Sequence, residues 1–408
     1  MPPTIFISAG EASGEYYGAL LIEALKRQLA AVGQAGIFFG MGGERMVSAG
    51  LKRVVRSEDM AVMGITEVIR HLPRIYREFR KLKQAARAAR PDVAVLIDFP
   101  DIHFKLAEEF HRLGVPVIFF VSPQLWAWKK HRIKLVQKYV TRMLVIFPFE
   151  EAFYRERGVV AEFVGHPLAE LAQPAIGRES YGEEIGLDPA TVWIALLPGS
   201  RPKEIRDNLP EMLEAARALV QQANREYRFL IPLAPTLNQA QRKAVRELVQ
   251  RCGSGLPVRL VDDARAALFH ARMSVVASGT ATVEAALIGN PFVVVYRVSP
   301  ITYAIAKRVV TVQHVAMANL IAGKRVVPEL IQNDFTAGNI VQQFERLLPD
   351  GHARESMKKE LSEIGVLLRS RQADPAHEHT GAIERVAAVT LELIRAVPLV
   401  ESLSAEKF

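Results

Sequence analysis

Hydrophobic residues in this chain fall in short continuous runs that alternate with longer amphipathic segments. The first half contains TIFISAG, GIFFGMGG, VAVLIDFPD, VPVIFFVSP, TRMLVIFP and AEFVGHPL, and the second half contains VWIALLPGSR, YRFLIPLAP, PVRLVDD, MSVVASGT and PFVVVYRV. Continuous apolar runs of this length are typical of strands that are buried on both faces of a parallel sheet. The pattern therefore predicts repeated β-α units along most of the chain.

The alternation is interrupted once, at AQPAIGRESYGEEIGLDPA, which is rich in turn formers and which we interpret as a linker. We therefore predict an α/β fold with two Rossmann-like, doubly wound parallel-sheet domains that face a cleft. The predicted boundaries are 1–172, 173–372 and, for a helical tail, 373–408. The pattern leaves open whether the tail packs on the second domain or crosses to the first. Ligands of such sheets bind beyond the carboxyl ends of the strands.

The loop after the first run is Gly10-Glu11-Ala12-Ser13-Gly14. Glycines allow a tight turn and a close approach of a ligand to the backbone. The alternative is local: Ser13 and Glu11 could simply shape or cap the following helix. The glycine spacing does not match G-x-G-x-x-G, which disfavours a dinucleotide-dependent dehydrogenase.

Two acids follow the run VAVLI, at Asp98 and Asp101. A carboxylate at a strand end can accept a proton from a substrate hydroxyl if it lies within hydrogen-bond reach. The alternative for Asp101, and more weakly for Asp98, is capping of the next helix. Two acids without a nearby histidine or third carboxylate make a poor metal site.

The second half carries two turns suited to phosphate. In LLPGSRPKEI, free N–H groups at a helix start attract anions, and Ser200 and Arg201 lie at that turn. In ASGTATVEAAL, the residues Ser278-Gly279-Thr280 form a second such turn. Glu284, one helical turn later, could hold the two hydroxyls of a ribose, or could simply interact with the helix dipole. Together the two turns favour a nucleoside diphosphate site.

Three further segments have competing interpretations. His166 in VGHPL is a lone histidine that suits a structural or a binding role. SPQLWAWKKHRIK places tryptophans beside basic residues, which suits nucleic acid or, more commonly, a packed wall. Residues 60–83 combine apolar and basic stripes at helical spacing, which suits either an anionic membrane surface or an ordinary solvated helix.

Charge and cysteine content restrict the kinds of partner and the cellular compartment to be expected. With 52 basic and 44 acidic side chains, the net charge is +8, which favours anionic partners. A single cysteine, Cys252, excludes an internal disulfide and suits a reducing compartment. The sequence contains neither a signal-peptide pattern nor an apolar run long enough to span a bilayer. We therefore expect a cytoplasmic protein.

Taken together and in order, eight motifs resemble the lipid-A-disaccharide synthase family of glycosyltransferases. They extend from about residue 5 to residue 335 and read AGEASGE, AVMGITEV, PDVAVLIDFPD, SPQLWAW, FVGHPL, LLPGSRPKEI, ASGTATVEAAL and NLIAGKRVVPELIQ. The resemblance implies a GT-B fold and inverting transfer of 2,3-diacylglucosamine from its UDP conjugate to 2,3-diacylglucosamine 1-phosphate. It implies no cofactor, no metal and no nucleic acid. It is compatible with peripheral attachment to the inner face of the cytoplasmic membrane, and it leaves a homodimer open.

The resemblance also implies roles for individual residues. Asp98 matches the general base and Arg201 the arginine that stabilises the leaving diphosphate. The remaining matches are substrate-binding residues: Glu11, Ser13, Gly14, Asp101, His166, Ser200, Ser278, Gly279, Thr280, Glu284 and Asn319. Two positions depart from the family pattern, since Ala318 replaces the proline before Asn319 and Glu15 replaces an aspartate.

Three other classes of protein compete with this interpretation, and one of them is a lipid-binding or scaffold protein without enzymatic activity. A UDP-sugar epimerase or another UDP-sugar transferase would share the fold and the phosphate turns. A basic nucleic-acid-binding protein would explain the charge but not the two diphosphate turns.

Overall fold

The computed structural model describes residues 2–60, 65–128, 130–222, 225–299, 303, 312–369 and 381–405, without the side chains of 65–71 and 396–405. The chain forms two compact units. Unit 1 consists of Met1–Glu170 together with Leu368–Phe408, and unit 2 consists of Leu171–Leu367.

Within the described residues, unit 1 contains a seven-stranded parallel sheet in the order β3-β2-β1-β4-β5-β6-β7. Its strands are β1 (Thr4–Ala9), β2 (Ile37–Gly42), β3 (Lys52–Arg56), β4 (Val93–Ile97), β5 (Val117–Phe120), β6 (Arg142–Val145) and β7 (Ala161–Phe163). The helices before the linker are α1 (Ala12–Ala30), α2 (Glu44–Ser48), α3 (Ile65–Ala89), α4 (Pro100–Arg112), α5 (Ile133–Tyr139) and α6 (Pro148–Arg155).

Unit 2 contains, over its described part, a six-stranded parallel sheet in the order β10-β9-β8-β11-β12-β13. Its strands are β8 (Val192–Leu197), β9 (Tyr227–Pro232), β10 (Val258–Val261), β11 (Met273–Ala277), β12 (Phe292–Tyr296) and β13 (Glu329–Ile331). Its helices are α7 (Arg178–Ile185), α8 (Pro202–Gln222), α9 (Gln239–Cys252), α10 (Ala264–His270), α11 (Thr280–Ile288), α12 (Met317–Ala322), α13 (Ala337–Leu347) and α14 (His352–Leu367).

The last helix, α15 (Ala382–Ala405), returns to unit 1 and packs on α1. The Glu384 side chain accepts hydrogen bonds from Arg27, at 2.5 Å, and from Gln28, at 2.9 Å, both on α1. Arg385 forms a two-bond contact with Glu162, at 2.5 and 3.1 Å. The C-terminal helix is therefore an integral layer of unit 1.

The central strands are buried because their helices cover both faces of each sheet. All five residues of β4 and all five of β11 are buried, as expected for the apolar runs that predicted them. In unit 1 the ring of Phe6 on β1 packs against Phe110 on α4, with centroids 4.8 Å apart. The prediction of two parallel-sheet α/β domains is confirmed.

Within the part of the chain that the structure describes, two strands and one helix were not predicted. The strands β3 and β13 lie at sheet edges, where short or charged segments are common. The helix α7 lies inside the segment interpreted as a linker, so that interpretation is wrong for Arg178–Ile185.

Candidate active site

The sheet of unit 1 has a switch point between β1 and β4, which are neighbours although two strands separate them in sequence. Ala9 at the end of β1 pairs with Ile97 at the end of β4. The loops that carry Glu11 and Asp98 therefore leave the sheet side by side. Ligands of doubly wound sheets bind at this position, so the structure brings two of the predicted site residues together where chemistry is expected.

The backbone turns sharply at Asp98. Asp98 and Phe99 both adopt left-handed conformations, with φ of 51° and 53°, which cost roughly 1–2 kcal/mol for each residue other than glycine. The N–H of Asp98 donates to the carbonyl of Phe120 at 2.9 Å. The Phe99 ring covers Gly10, where an added Cβ would lie 2.3 Å from a ring carbon. Two consecutive strained residues at a switch point indicate a functional constraint.

The environment of Asp98 changes its ionisation. Burial, and secondly the negative charge of Glu11, raise the pKa of the Asp98 carboxyl to about 6, although a hydrogen bond from the Phe99 N–H opposes the shift. A base is most effective when its pKa lies near the working pH. Asp98 is therefore largely ionised at neutral pH and more basic than an ordinary aspartate.

The loop after β1 turns directly into α1. Glu11 occupies the N-cap position, but its side chain makes no capping hydrogen bond, and Ser13 lies within the first helical turn. The alternative that Ser13 caps this helix is therefore wrong. Gly14 is buried against Ile97 at the end of β4. Glu15 accepts a hydrogen bond from the backbone N–H of Arg45 at 3.0 Å, which fastens α1 to α2.

Neither acid near the start of α4 caps that helix, contrary to the alternative considered above. Phe99 is the N-cap residue and Pro100 the first helical residue, so neither Asp98 nor Asp101 caps α4. Asp101 is exposed and pairs with Arg132 at 2.6 Å. A role for Asp101 in substrate binding stays a prediction.

His166 is buried, with 2% of its surface exposed. The ring Nδ1 accepts a hydrogen bond from the backbone N–H of Leu168 at 3.1 Å, and the backbone N–H of His166 donates to the carbonyl of Leu368 at 2.8 Å. Burial lowers the pKa of His166 to about 3, so the ring is neutral. These contacts support a structural role, and substrate binding by His166 stays a prediction.

Unit 2 repeats the arrangement. The switch point of its sheet lies between β8 and β11, whose residues Leu197 and Val276 are paired. The turn with Ser200 and Arg201 follows β8, and the turn with Ser278–Thr280 follows β11. Both phosphate-type turns predicted from the sequence therefore leave adjacent strands at the position where parallel sheets bind ligands.

The turn after β8 is closed by a carboxylate that the sequence did not single out. Glu204 Oε2 accepts from the backbone N–H groups of Ser200, at 3.1 Å, and Arg201, at 3.3 Å, while its Oε1 accepts from the Arg201 guanidinium at 3.1 Å. Gly199, with φ of 124°, allows this close approach. Glu204 therefore contacts the same donors that a phosphate would use, which is the local pattern of a helix-capping acid.

The turn after β11 is more open. Ser278 is half-buried, and Gly279 and Thr280 are exposed at the start of α11. Burial raises the pKa of Glu284 on this helix, with Arg265 acting in the opposite direction. Arg265 Nη1 lies 3.9 Å from Glu284 Oε1, too far for a hydrogen bond. That Nη1 is buried without a hydrogen-bond partner in the described structure.

Asn319 is completely buried, and its amide is saturated by the chain itself. Its Nδ2 donates to the Val327 carbonyl at 2.9 Å and to Glu329 at 2.8 Å. Its Oδ1 accepts from the N–H groups of Val326 and Val327, at 2.7 and 2.9 Å. These bonds fasten the segment between α12 and β13, so they support a structural role, and substrate binding stays a prediction.

Comparison with known proteins decides the family. Residues 5–379 match the family profile described as lipid-A-disaccharide synthetase. The lipid-A-disaccharide synthase of Acidobacterium capsulatum is 56% identical over 402 residues, which cover 96% of this chain and 97% of that protein. The chain belongs to the lipid-A-disaccharide synthase family. It is accordingly an enzyme, a glycosyltransferase of lipid A biosynthesis.

Several solved structures share the GT-B fold of this protein. The UDP-GlcNAc 2-epimerase of Neisseria meningitidis, solved with UDP-GlcNAc bound, has a TM-score of 0.61 at 12% identity and covers 96% of this chain and 99% of its own. The calicheamicin glycosyltransferase has a TM-score of 0.57 at 16% identity, with coverages of 97% and 99%. At these identities the likeness concerns the fold alone.

Two residues of the SPQLWAW motif, Ser122 and Trp126, bind the carboxylate of Glu150, a residue that the sequence analysis did not single out. Glu150, fully buried at the start of α6, accepts hydrogen bonds from Ser122 at 2.6 Å, from Trp126 Nε1 at 3.0 Å and from the Phe147 N–H at 3.2 Å. Burial raises its pKa to about 7 against the effect of these bonds. Trp126 is therefore buried and packed within unit 1, as the packing alternative predicted, whereas Trp128 is 43% exposed.

The predicted membrane segment of this family member is described only in part. Residues 61–64 and the side chains of 65–71 lie outside the described residues. On the described part of α3, Glu78 pairs with Arg77 at 3.1 Å and with Lys81 at 2.9 Å. None of the helices in the described part of the chain is long and apolar enough to cross a bilayer.

Proposed function

We propose that this chain joins UDP-2,3-diacylglucosamine to 2,3-diacylglucosamine 1-phosphate, and so produces the β-1,6-linked lipid A disaccharide 1-phosphate and UDP. Membership of the family supports the substrates. The proposed mechanism rests on the strained backbone at Asp98 and Phe99, at the switch point of unit 1. There, burial and the charge of Glu11 raise the pKa of the Asp98 carboxyl to about 6.

In the proposed step, the 6-hydroxyl oxygen of the acceptor forms a bond to the anomeric carbon of the donor. The bond from that carbon to the diphosphate oxygen breaks, and its electron pair leaves with UDP. The hydroxyl proton goes to the carboxylate of Asp98. Because the attacking oxygen and the leaving diphosphate lie on opposite sides of the carbon, a single displacement inverts the anomeric configuration. One general base is sufficient for this chemistry.

Unit 2 would stabilise the leaving group. Negative charge grows on the diphosphate as the bond breaks, and prealigned cations and N–H groups lower the barrier most where that charge develops. Arg201 supplies a guanidinium, and the first turns of α8 and α11 supply N–H groups. We assign the diphosphate to Ser200, Arg201, Ser278, Gly279 and Thr280. Glu284 would hold the ribose hydroxyls.

The sugar-binding side of the site would lie in unit 1. Glu11 and Ser13 are half-buried in the loop and first turn beside Asp98, and with Gly14 they are our candidates for contacts with the acylated glucosamine. Asp101 is exposed in the first turn of α4 and could reach the same sugar. His166 and Asn319 are buried with their hydrogen bonds directed to the chain, so we assign them to shaping the loops.

A diacylated substrate also requires access to the membrane. We propose peripheral attachment at the inner face of the cytoplasmic membrane through residues 60–83, supported by their apolar and basic composition and by the net charge of +8. Replacement of apolar residues within 61–69 by serine should reduce co-sedimentation with anionic vesicles. Unchanged co-sedimentation would contradict this placement.

The reaction is tested by mass spectrometry of the purified chain mixed with both substrates. We expect the donor and acceptor to disappear together and the disaccharide phosphate and UDP to appear in equal amounts. The anomeric coupling constant of the product reports the inversion. Consumption of the donor without the acceptor would instead indicate an epimerase.

The role of Asp98 is tested by the variant Asp98→Ala. Turnover should be lost while UDP still binds, and full activity of that variant would exclude Asp98 as the base.

A further inference from the structure

His103 connects the two strands that flank the switch point of unit 1. It lies on α4 with 0% of its surface exposed. Its Nε2 is 2.8 Å from the hydroxyl of Ser8 on β1, and its Nδ1 is 2.5 Å from the backbone carbonyl of Asp98. One buried ring therefore spans from β1 to the strained corner after β4.

The partners of this ring fix its protonation. A carbonyl oxygen can only accept a hydrogen bond, so Nδ1 carries the proton and donates to Asp98. Burial lowers the pKa of His103 to about 4, so the ring is neutral and Nε2 accepts from the Ser8 hydroxyl. The hydrogen bonds run in one direction, from Ser8 through His103 to the carbonyl of Asp98. This order leaves neither ring nitrogen unsatisfied.

The hydrogen bond ends at the point where the backbone is strained. Asp98 and Phe99 have positive φ values, and such conformations persist only where the surroundings hold them. The Phe99 ring packs edge-on against His103, with centroids 5.8 Å apart, and the backbone N–H of His103 makes the first helical bond, to the Phe99 carbonyl at 3.1 Å. The His103 side chain thus contacts both residues of the corner, Asp98 through a hydrogen bond and Phe99 through its ring.

We propose that His103, oriented by Ser8, is a positioning residue that keeps the Asp98 carboxylate in its reactive orientation. His103 does not touch substrate in this proposal and transfers no proton. The inference rests on the proposed function, because it takes Asp98 to be the general base. An ordinary core histidine would support the stability of unit 1 without affecting how Asp98 ionises.

Three variants separate the two hydrogen bonds of the ring. In His103→Asn, the amide nitrogen can occupy the place of Nδ1 and still donate to the Asp98 carbonyl. In His103→Gln, the amide reaches the place of Nε2 and keeps Ser8 but loses the donor to Asp98. Ser8→Ala removes only the bond that orients the ring. Each variant is assayed as the full chain for kcat, for KM, for UDP affinity and for the pH dependence of kcat/KM.

We expect kcat to fall roughly 10- to 100-fold in His103→Gln, as expected when a catalytic group is displaced by about 1 Å. His103→Asn should keep more of the wild-type kcat, and Ser8→Ala should lose a few-fold. UDP affinity should not change in any of them. Two titratable groups act on Asp98: Glu11 through its negative charge, and the neutral His103 through the backbone carbonyl. Because burial is the larger cause of the raised pKa of Asp98, a relaxed corner that admits water should move the acidic limb of the profile to lower pH.

The proposal is overturned if folded His103→Gln has a kcat within twofold of wild type. It is also overturned if His103→Asn and His103→Gln lose activity equally while the acidic limb stays in place. Should His103→Gln fail to fold, Ser8→Ala decides the matter, and unchanged kcat and pH profile in that variant would refute the role. Asp98→Ala is assayed in parallel: if it retains full activity, the proposed function itself is wrong, independently of His103.

Discussion

Glu11 and Asp98 carry their carboxylates on adjacent loops, and the negative charge of Glu11 adds to burial in raising the pKa of Asp98 to about 6. The two loops leave paired strands at one switch point. A neighbouring like charge disfavours ionisation, so this pairing makes Asp98 a better proton acceptor at neutral pH.

The pairing predicts the pH dependence of catalysis. Because the pKa is raised, Asp98 is protonated below about pH 6, and a protonated base cannot accept the substrate proton. We therefore expect kcat/KM to fall about tenfold per pH unit below that point. Glu11→Gln removes the like charge and should move the acidic limb to lower pH. The exposed Glu23, which pairs with Lys26, offers a control, since Glu23→Gln should leave the profile unchanged.

The position of Glu204 predicts competition with the nucleotide. Its carboxylate accepts from the N–H groups of Ser200 and Arg201, which we assign to the diphosphate. Glu204→Gln removes the competing charge and should tighten UDP binding three- to tenfold, about 1 kcal/mol of screened repulsion. Calorimetry at low and high salt measures the effect, which should shrink with salt.

A neighbouring acid on the same helix serves as the control for Glu204. Asp207 pairs with Lys203 at 2.6 Å, so Asp207→Asn removes the same charge one turn away and should change UDP affinity little. Weaker UDP binding in Glu204→Gln would mean that Glu204 organises the turn and does not compete for it.

The buried, unpartnered Nη1 of Arg265 beside Glu284 predicts a contact with the ribose. A vicinal diol beside the two side chains, whose atoms are 3.9 Å apart, could bridge them, with one oxygen accepting from Arg265 and the other hydroxyl donating to Glu284. Arg265→Gln should weaken UDP binding roughly 10-fold, in the range of a hydrogen bond to a charged group.

Deoxynucleotides make the Arg265 prediction specific. If the diol is the partner, either 2′-deoxy-UDP or 3′-deoxy-UDP should lose less affinity than UDP on Arg265→Gln. Arg242 pairs with the exposed Asp262 and gives the matched control, Arg242→Gln. Equal losses for all three nucleotides would contradict the assignment.

The contacts of Glu150 predict a large effect on stability. Glu150→Ala would leave the buried Nε1–H of Trp126 and the N–H of Phe147 without their acceptor, and would leave Ser122 only its longer bond to the Pro123 carbonyl, at 3.3 Å. Unsatisfied buried donors cost about 1–3 kcal/mol each, so the free energy of unfolding should fall by roughly 2–4 kcal/mol in urea titrations followed by tryptophan fluorescence. Glu156→Ala, on the exposed end of the same helix, should change it by less than about 0.5 kcal/mol.

The sequence was sufficient for the interior strands of both sheets and for the edge strands β7 and β10. Apolar runs predicted eleven of the strands in the described residues, because a strand buried on both faces must be continuously hydrophobic. It was insufficient for β3, whose sequence KRVVR is charged, and for the three-residue β13. An edge strand lacks one neighbour, so it can be charged, as β3 is, or very short, as β13 is.

The loops were predicted by residue type more reliably than by geometry. The motifs indicated Asp98 and the two phosphate-type turns, and parallel topology brings strand ends together. Capping by Ser13 and Asp101 was wrong because Glu11 and the left-handed Phe99 occupy the N-cap positions. Glu204 is a helix-start acid at a spacing that could have been recognised. No sequence pattern predicts the hydrogen bond from His103 to the main-chain oxygen of Asp98.

The return of α15 to α1 has a consequence for synthesis of the protein. The ribosome makes the amino-terminal portion of unit 1 first, but must then produce all of unit 2 before the closing helix emerges. A nascent chain that stops short of Ala382 leaves uncovered the flank of α1 on which α15 packs. The half of the enzyme that is translated earliest is therefore the half that matures last.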